Sequence, residues 1–338
     1  MKVDTGIMGA SPAEIVQRAT AAEAEGYAGV WSAETSHDPF LPLMLAAQHT
    51  ERVELGTNIA VAFARNPMTL AVTANDLHTY SGGRFVLGLG SQIKPHITKR
   101  FSMPWSHPAA RMRELVLAMR AIWESWQTGG KLDFRGEFYT HTLMTPFFDP
   151  GPNPHGTPKV FLAGVGDRMT EVAGEVADGY MFHAFTTERY VREVSLPALQ
   201  RGRAAGGKDG LDGFEIMGAP FVVTGQDEDE MARAAEAARQ QIAFYASTPA
   251  YRPVLELHGW GPLQEELNRL SKQGEWVAMG RLIDDEMLDA FAVVAPLDEV
   301  AAKLTARFAG VAQRLSFYAP YRGAAGRWTP VVAELAQA

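Results

Sequence analysis

The chain has 338 residues, of which 46% are hydrophobic, and a formal net charge of −8. This length suits either two small domains or one closed α/β barrel, and because no Ser/Gly linker divides the chain we expect one domain with insertions. The acidic balance offers no basic surface for nucleic acid. The absence of cysteine excludes disulfides, cysteine–metal sites, iron–sulfur clusters and cysteine nucleophiles.

The start of the chain and its hydropathy pattern carry no targeting or membrane signal. Residues 1–4 lead directly into a predicted strand, without the charged and apolar regions of a signal peptide. No run of about 18 apolar residues is present, so we expect no membrane span. These features predict a cytoplasmic protein.

The N-terminal part of the chain repeats one pattern three times: a short apolar strand, a cluster of small and polar residues, and a helical segment. The predicted strands are Val3–Met8, Gly29–Trp31 and Val53–Leu55. Capping signals open the helices, with Ser11-Pro12 before the first and Asn66-Pro67 before the third. This order predicts a parallel sheet whose C-terminal strand ends carry the functional side chains.

Strand and helix signals continue along the rest of the chain. Further strands are predicted at Arg84–Leu89, Val160–Ala163, Tyr180–His183, Phe214–Val223, Phe291–Val294 and Arg314–Tyr318, with a small hairpin at Leu132–His141. Further helices are predicted at Pro39–Thr50, Pro108–Thr128, Met169–Ala177, Thr187–Ala205, Asp227–Phe244 and Leu297–Phe308. A count near eight favours a (β/α)8 TIM barrel over an open doubly wound sheet, with insertions at about 93–107, 131–158 and 249–289.

The loop after the second strand concentrates ionisable side chains. His37 is the strongest candidate for a general acid or base, because an imidazole titrates near neutral pH. Glu34 could orient this imidazole or stabilise its charge. The alternative interpretation is that Asp38 and Pro39 only cap the second helix, with His37 as an ordinary loop residue.

Polar residues follow the third and fourth strands, and the glycines of the fourth strand could let its backbone pass close to a flat or bulky group. Asn58 and Ile59 place an amide beside a β-branched side chain where the third strand ends, although such a turn is usually only a strand terminus. After the fourth strand, Gln92 and His96 supply neutral donors and acceptors; the alternative is a glycine-rich bend in a barrel strand. We interpret Arg65 as a surface residue whose stem packs over apolar neighbours.

The segment 163–168 combines a strand, a tight glycine loop and the start of a helix. Free backbone N–H groups in such a loop, here at Gly164, Val165 and Gly166, can bind a phosphate together with the helix dipole. The alternative is that Asp167 is simply an N-cap. The segment is not a dinucleotide fingerprint, because the third glycine is missing. His183, at the mouth end of the sixth strand, is a candidate for substrate contact, although a lone histidine there is more often structural.

Four motifs together resemble the luciferase-like flavin and deazaflavin oxidoreductases. They are Val30-Trp31-Ser32-Ala33-Glu34; Gly56-Thr57-Asn58-Ile59 with Arg65-Asn66-Pro67; residues 81–90; and Ala163-Gly164-Val165-Gly166 with Ala177-Asp178-Gly179. The segment from Glu34 to Phe40, with Arg65-Asn66-Pro67 and Gln92, is most similar to the branch that uses coenzyme F420, an 8-hydroxy-5-deazaflavin.

The resemblance implies roles for several of these residues. A non-prolyl cis peptide would join Asn58 to Ile59 and form a bulge behind the cofactor ring. The backbone of 164–166 would bind the cofactor phosphate, and Gln92 and His96 would border the ring or the ribityl chain. His37 lies near the position where some members carry an active-site histidine; their Asp-His pair corresponds to Ser36-His37 or, in the other alignment, to Glu34-Thr35.

The function implied is hydride transfer between coenzyme F420 and a small organic substrate, in a homodimer. His37 would donate or accept the proton, with Glu34 as its partner. An FMN-dependent luciferase-like monooxygenase is the first alternative, since it would share the fold and the phosphate site. A non-catalytic deazaflavin-binding protein built on the same barrel is the second.

Overall fold

The computed structural model describes residues 1–9, 11–324 and 326–337. In chain order the described strands are β1 (Lys2–Gly6), β2 (Gly29–Ser32), β3 (Glu54–Thr57), β4 (Ala60–Val61), β5 (Phe85–Gly90), β6 (Phe134–Arg135), β7 (Thr140–His141), β8 (Lys159–Gly164), β9 (Gly179–Phe182), β10 (Glu215–Gly218), β11 (Phe221–Val223), β12 (Ala292–Val294) and β13 (Arg314–Ser316). Eight parallel strands form a closed ring in the order β1, β2, β3, β5, β8, β9, β10 and β13, and β13 pairs with β1. The predicted (β/α)8 TIM barrel is confirmed.

Helices surround this ring and build the insertions. The described α-helices are α1 (Pro12–Ala24), α2 (Phe40–His49), α3 (Pro67–Tyr80), α4 (Pro108–Thr128), α5 (Asp167–Val176), α6 (Glu188–Tyr190), α7 (Leu196–Ala205), α8 (Glu228–Ala246), α9 (Arg252–Leu257), α10 (Leu263–Gln273), α11 (Trp276–Gly280), α12 (Asp285–Phe291), α13 (Val300–Phe308) and α14 (Thr329–Gln337). Short 3-10 turns lie at Ala62–Ala64, Pro249–Tyr251 and Leu297–Glu299, and π-helical turns at His96–Arg100 and Val191–Ser195.

The helix starts follow the predicted capping chemistry. The Ser11 hydroxyl accepts a hydrogen bond from the Glu14 N–H, and the Glu14 carboxylate accepts one from the Ser11 N–H, which forms a capping box. The Asn66 side chain caps α3 by accepting from the Thr69 N–H at 2.9 Å. Both caps satisfy backbone donors that a helix leaves without an internal partner.

A cluster of large apolar side chains lies inside the barrel. Its buried members are Trp31, Val86, Phe161, Met181 and Met217, which come from β2, β5, β8, β9 and β10. Trp31 and Phe161 stack with their ring centroids 6.1 Å apart. Because side chains alternate along a strand, the next inward-facing position on each strand lies one step closer to the C-terminal mouth.

Charged side chains close the N-terminal end of the barrel. The Arg314 guanidinium donates to both Asp4 oxygens at 2.8 and 2.9 Å, and both side chains are fully buried. It also pairs with Glu54 and, at 3.3 Å, with Glu215. Lysines complete the set, which we call the N-terminal charge cluster: Lys2, Asp4, Glu54, Lys159, Glu215 and Arg314.

The predicted seventh strand, Phe214–Val223, is wrong as one continuous element. It is divided into β10 and β11, because Pro220 has no N–H to donate to a strand ladder. The predicted strand Phe291–Val294 forms, from Ala292 onward, as β12, but it pairs with β11 outside the ring. The predicted helix Thr187–Ala205 is interrupted by a π-helical turn just before Pro197, which likewise lacks the N–H that a regular helix needs.

Two further features lie outside the ring. β6 and β7 form the predicted small hairpin in the middle insertion. α14 was not predicted; its buried residues Val331, Val332 and Leu335 pack at helical spacing, and the N-terminal amine of Met1 donates to the Leu335 carbonyl. Among the helices described, none is long and apolar enough to cross a membrane.

Candidate functional site

A backbone bulge lies at the mouth where β3 ends. The peptide bond between Asn58 and Ile59 is cis, as expected from the resemblance. The Asn58 N–H donates to the Ser32 carbonyl at 2.8 Å, and the Ile59 carbonyl accepts from the Glu34 N–H at 3.1 Å. These bonds join the bulge to the loop that follows β2.

The Glu34 carboxylate is held by groups other than His37. Its Oε2 accepts from the Val61 N–H at 2.7 Å and from the Arg65 guanidinium at 2.6 Å. No hydrogen bond joins Glu34 to His37 in the described chain, so the predicted pairing of the two is not formed; the bonded partners of Oε2 are a guanidinium and a backbone donor. Arg65 is not the surface residue that we expected, since only 17% of its side chain is exposed.

Asp38 and His37 lie in the same loop, but their surroundings differ. The Asp38 carboxylate accepts from the Phe40 N–H at 2.8 Å, so the predicted cap of α2 is confirmed, and its other oxygen lies 3.3 Å from Arg65. His37 is exposed, and no hydrogen bond of its ring is found within the described chain. Its imidazole remains available to a bound molecule.

The glycines at the end of β5 are explained by packing within the barrel. A Cβ at Gly88 would overlap the carbonyl oxygen of Thr57, and a Cβ at Gly90 would lie 2.9 Å from Ile59. Beyond them, Gln92 has a φ of 58° and its side-chain oxygen accepts from the Ile93 N–H at 3.0 Å. His96 is exposed on a π-helical turn within the first predicted insertion.

The glycine loop after β8 leads into α5 without a side-chain cap. Gly166 is the N-cap residue, and no side chain of the described residues accepts a hydrogen bond from the first turn. A Cβ at Gly166 would meet nothing within 4 Å, whereas one at Gly164 would lie 3.1 Å from Met169. Gly164 is thus tightly packed against Met169, and Gly166 leaves open space beside the start of the helix.

The Asp167 carboxylate does not cap α5 and leaves this space open. It accepts a hydrogen bond from Arg201 at 2.7 Å, and both side chains are about half exposed. The ion pair offsets the repulsion that a free carboxylate would exert on an anion at the start of α5. The predicted alternative, in which Asp167 is the N-cap, is wrong because Gly166 has that position.

His183 is part of an aromatic surface at the mouth. Its Nδ1 accepts from the Phe185 N–H at 3.0 Å, so the neutral ring carries its proton on Nε2, which lies 3.3 Å from the Tyr251 hydroxyl. The His183 ring stacks on Tyr251 with centroids 4.9 Å apart and meets Tyr245 edge-on at 4.7 Å. Burial lowers the pKa of His183 to about 4. The imidazole is therefore neutral at physiological pH.

A further tyrosine, Tyr318, extends this surface. The Tyr245 and Tyr318 hydroxyls share a hydrogen bond of 2.9 Å. Burial raises the pKa of Tyr251 to about 12, and burial together with the bond to Tyr245 raises the pKa of Tyr318. We call the four half-buried rings the tyrosine wall: His183, Tyr245, Tyr251 and Tyr318.

The sequence interpretation found His183 but missed the three tyrosines. Tyr318 lies four residues after the inward-facing Arg314, a spacing that places it on the same side of an extended chain. That signal was present in the sequence. Tyr245 and Tyr251 come from the end of α8 and the following turn, where no local pattern marks them. No cluster of three metal-ligating side chains occurs in the described ranges.

Comparisons with known proteins give one family and a consistent fold. Residues 2–314 match the model of the luciferase-like monooxygenase family. A Mycobacterium tuberculosis protein, strain ATCC 25618 / H37Rv, named Uncharacterized protein Rv1360, is 60% identical over 310 residues, which are 91% of each chain. The 5,10-methylenetetrahydromethanopterin reductase of Archaeoglobus fulgidus is 28% identical over 84% of this chain and 82% of that protein.

A solved structure agrees with the barrel described above. It is the coenzyme F420 dependent tetrahydromethanopterin reductase from Methanopyrus kandleri, with a TM-score of 0.77 and 20% sequence identity. The likeness covers 100% of this chain and 97% of that one. At this identity the comparison establishes the fold.

Proposed function

This chain belongs to the luciferase-like monooxygenase family, and we propose that it is a coenzyme F420-dependent oxidoreductase acting on a small organic substrate. The observation that carries the proposal is the open, uncapped start of α5 at the barrel mouth. Relatives that are named as F420-dependent enzymes support the choice of cofactor. One of them is the F420-dependent glucose-6-phosphate dehydrogenase of Mycolicibacterium gilvum.

The residues present fit the anionic end of such a cofactor. The first N–H groups of a helix have no internal acceptor, and they favour a phosphate because of the helix dipole. At α5 no side chain takes this role, and the space beside Gly166 is empty of protein atoms. The backbone of Gly164, Val165 and Gly166 would hold the phosphate there.

The same mouth offers a position for the ring. In the barrel, β5 separates β3 from β8, so the bulge at Asn58 and Ile59 lies two strand spacings, about 10 Å, from the start of α5. Gln92 and His96 follow β5, the strand between these two, and would border the ring. A deazaflavin bound across them would supply a two-electron hydride donor or acceptor.

The protein's own residues would handle the proton and the geometry. His37 is exposed in the adjacent loop and its ring has no described hydrogen bond, so it can exchange a proton with a bound substrate. Glu34 would act through position: its bonds to Val61 and Arg65 hold the bulge against the loop after β2. In this proposal Glu34 is a positioning residue and His37 is the acid or base.

An FMN-dependent monooxygenase is the second candidate, because the matched family is described as luciferase-like monooxygenase. Fluorescence-quenching titrations of the purified protein with oxidised F420 and with FMN compare the two directly. We expect at least about tenfold tighter binding of F420. If the protein prefers FMN and consumes oxygen when the bound flavin is reduced, it is a monooxygenase. If it binds F420 but turns over no carbonyl or alcohol, it is a carrier protein.

A further inference from the structure

The tyrosine wall lies over the inside of the barrel at its C-terminal mouth. His183 is two residues beyond the inward-facing Met181. Tyr318 lies four residues after the inward-facing Arg314, on the same side of the extended chain. Its parallel bridge to Phe221 shows that the extended backbone persists to this residue. Alternation along the strands therefore directs both side chains over the barrel axis. His183 also borders a small cavity with Gly164 and Val165, so the wall adjoins the proposed phosphate loop.

Two hydroxyl protons of the wall have no acceptor among the described residues. Because His183 carries its proton on Nε2, it donates to the Tyr251 oxygen, and the Tyr251 hydroxyl does not donate in return. In the Tyr245–Tyr318 pair one hydroxyl donates and the other keeps its proton free. Half-buried donors without a partner are costly, and a bound oxygen atom would satisfy them.

The wall contains no charge at neutral pH. Burial alone lowers the pKa of His183, and the pKa values of Tyr251 and Tyr318 are raised by burial and by Tyr245. No Asp, Glu, Lys or Arg of the described chain contributes to these three shifts. A carboxylate or phosphate placed against these rings would lose water and gain no counter-charge.

We propose that the tyrosine wall is the substrate subsite, and that it takes an uncharged molecule with a flat or alicyclic apolar part and one carbonyl or hydroxyl oxygen. The apolar part would pack against the rings of His183 and Tyr251, and the oxygen would accept from Tyr251 or from the Tyr245–Tyr318 pair. This inference rests on the proposed function, since it assumes that the cofactor lies across the same mouth.

Acetophenone and 4-acetylbenzoate are matched probes, because they share a ring and a ketone and differ by one carboxylate. Their dissociation constants are measured by saturation-transfer NMR titration of the full-length protein, with and without F420. We expect acetophenone to bind at least about tenfold more tightly than 4-acetylbenzoate. Tyr251→Phe or Tyr318→Phe should weaken acetophenone about 3- to 10-fold, the effect of one hydrogen bond.

Tyr80→Phe is the matched control, because Tyr80 is exposed at the C-terminal end of α3, at the opposite end of the barrel. It should leave both constants unchanged. The inference is overturned if acetophenone does not bind, if 4-acetylbenzoate binds equally well, or if both wall variants behave like Tyr80→Phe. F420 titrations of the same samples test the proposed function separately, because the probe preference is measurable whether or not F420 binds.

Discussion

The two ends of the barrel differ in how far their polar groups are paired. At the N-terminal end, the charge cluster around Arg314 pairs carboxylates and cations with one another, and Asp4 and Arg314 have no exposed side-chain surface. At the C-terminal mouth, the start of α5 has no described side-chain cap, the His37 ring has no described partner, and Tyr251 keeps a free hydroxyl proton. The charged groups of one end are paired with one another, and the other end keeps unused donors.

This difference separates stability from function within one fold. Paired groups cannot bind a ligand without losing a partner, so the N-terminal end contributes to folding alone. Unpaired donors at the mouth add no stability to the free protein, and they are expected where a bound ligand supplies the missing acceptor. Substitutions at one end should therefore change unfolding, and substitutions at the other should change binding or turnover.

The largest effect is expected from His37→Ala at the mouth. Loss of a positioned general acid or base should lower turnover by roughly 10²- to 10⁴-fold, while F420 affinity stays within a small factor. Turnover is measured by the absorbance of F420 with a neutral ketone or alcohol. Glu34→Gln, which removes a charge bound to Arg65, should instead lower the melting temperature. Full activity of His37→Ala would assign the proton to another residue, with the Glu34-Thr35 alignment as the next candidate.

Arg314→Met tests the N-terminal end. Removing the guanidinium leaves Asp4 buried without its cation, and this should lower the free energy of unfolding by about 3–5 kcal/mol. Urea unfolding followed by circular dichroism measures the change. Arg135→Met is the matched control, because Arg135 forms an exposed pair with Asp133 and should cost less than about 1 kcal/mol. Folded Arg314→Met with strongly reduced F420 affinity would show that the two ends are coupled.

Gly166→Leu tests the mouth without touching the core. The added side chain would fill the open space beside the start of α5, so F420 affinity should fall by about 10- to 100-fold, the effect of losing charge-assisted hydrogen bonds. Gly130→Leu adds the same bulk beyond the C-terminal end of α4 and should leave affinity unchanged. If folded Gly166→Leu binds F420 with unchanged affinity, the cofactor phosphate does not bind at this loop.

The sequence predicted most of the barrel because its signals are local. Helix α4 has the predicted bounds, since Pro108 opens it and Gly129, with a φ of 68°, ends it. The partner of Glu34 could not be predicted in this way, because Arg65 is 31 residues away. The tyrosine wall likewise joins side chains from three separate segments. Pro220 is a local signal of the break in the seventh strand, although apolar residues lie on both sides of it.

The smallest expected effect is a pH dependence confined to the N-terminal end. Burial alone would raise the pKa of Glu215, but Lys159, Lys2 and Arg314 lower it to about 2, against 4.5 for a free glutamate. The folded state thus binds fewer protons, so this stabilisation is complete above about pH 4.5 and is lost as the pH falls toward 2. Between about pH 6 and pH 3 the wild-type protein should lose about 1–2 kcal/mol more unfolding free energy than Glu215→Gln, allowing for screening. Urea titrations at both pH values measure this difference, and equal losses in the two proteins would mean that the cations do not hold Glu215 ionised.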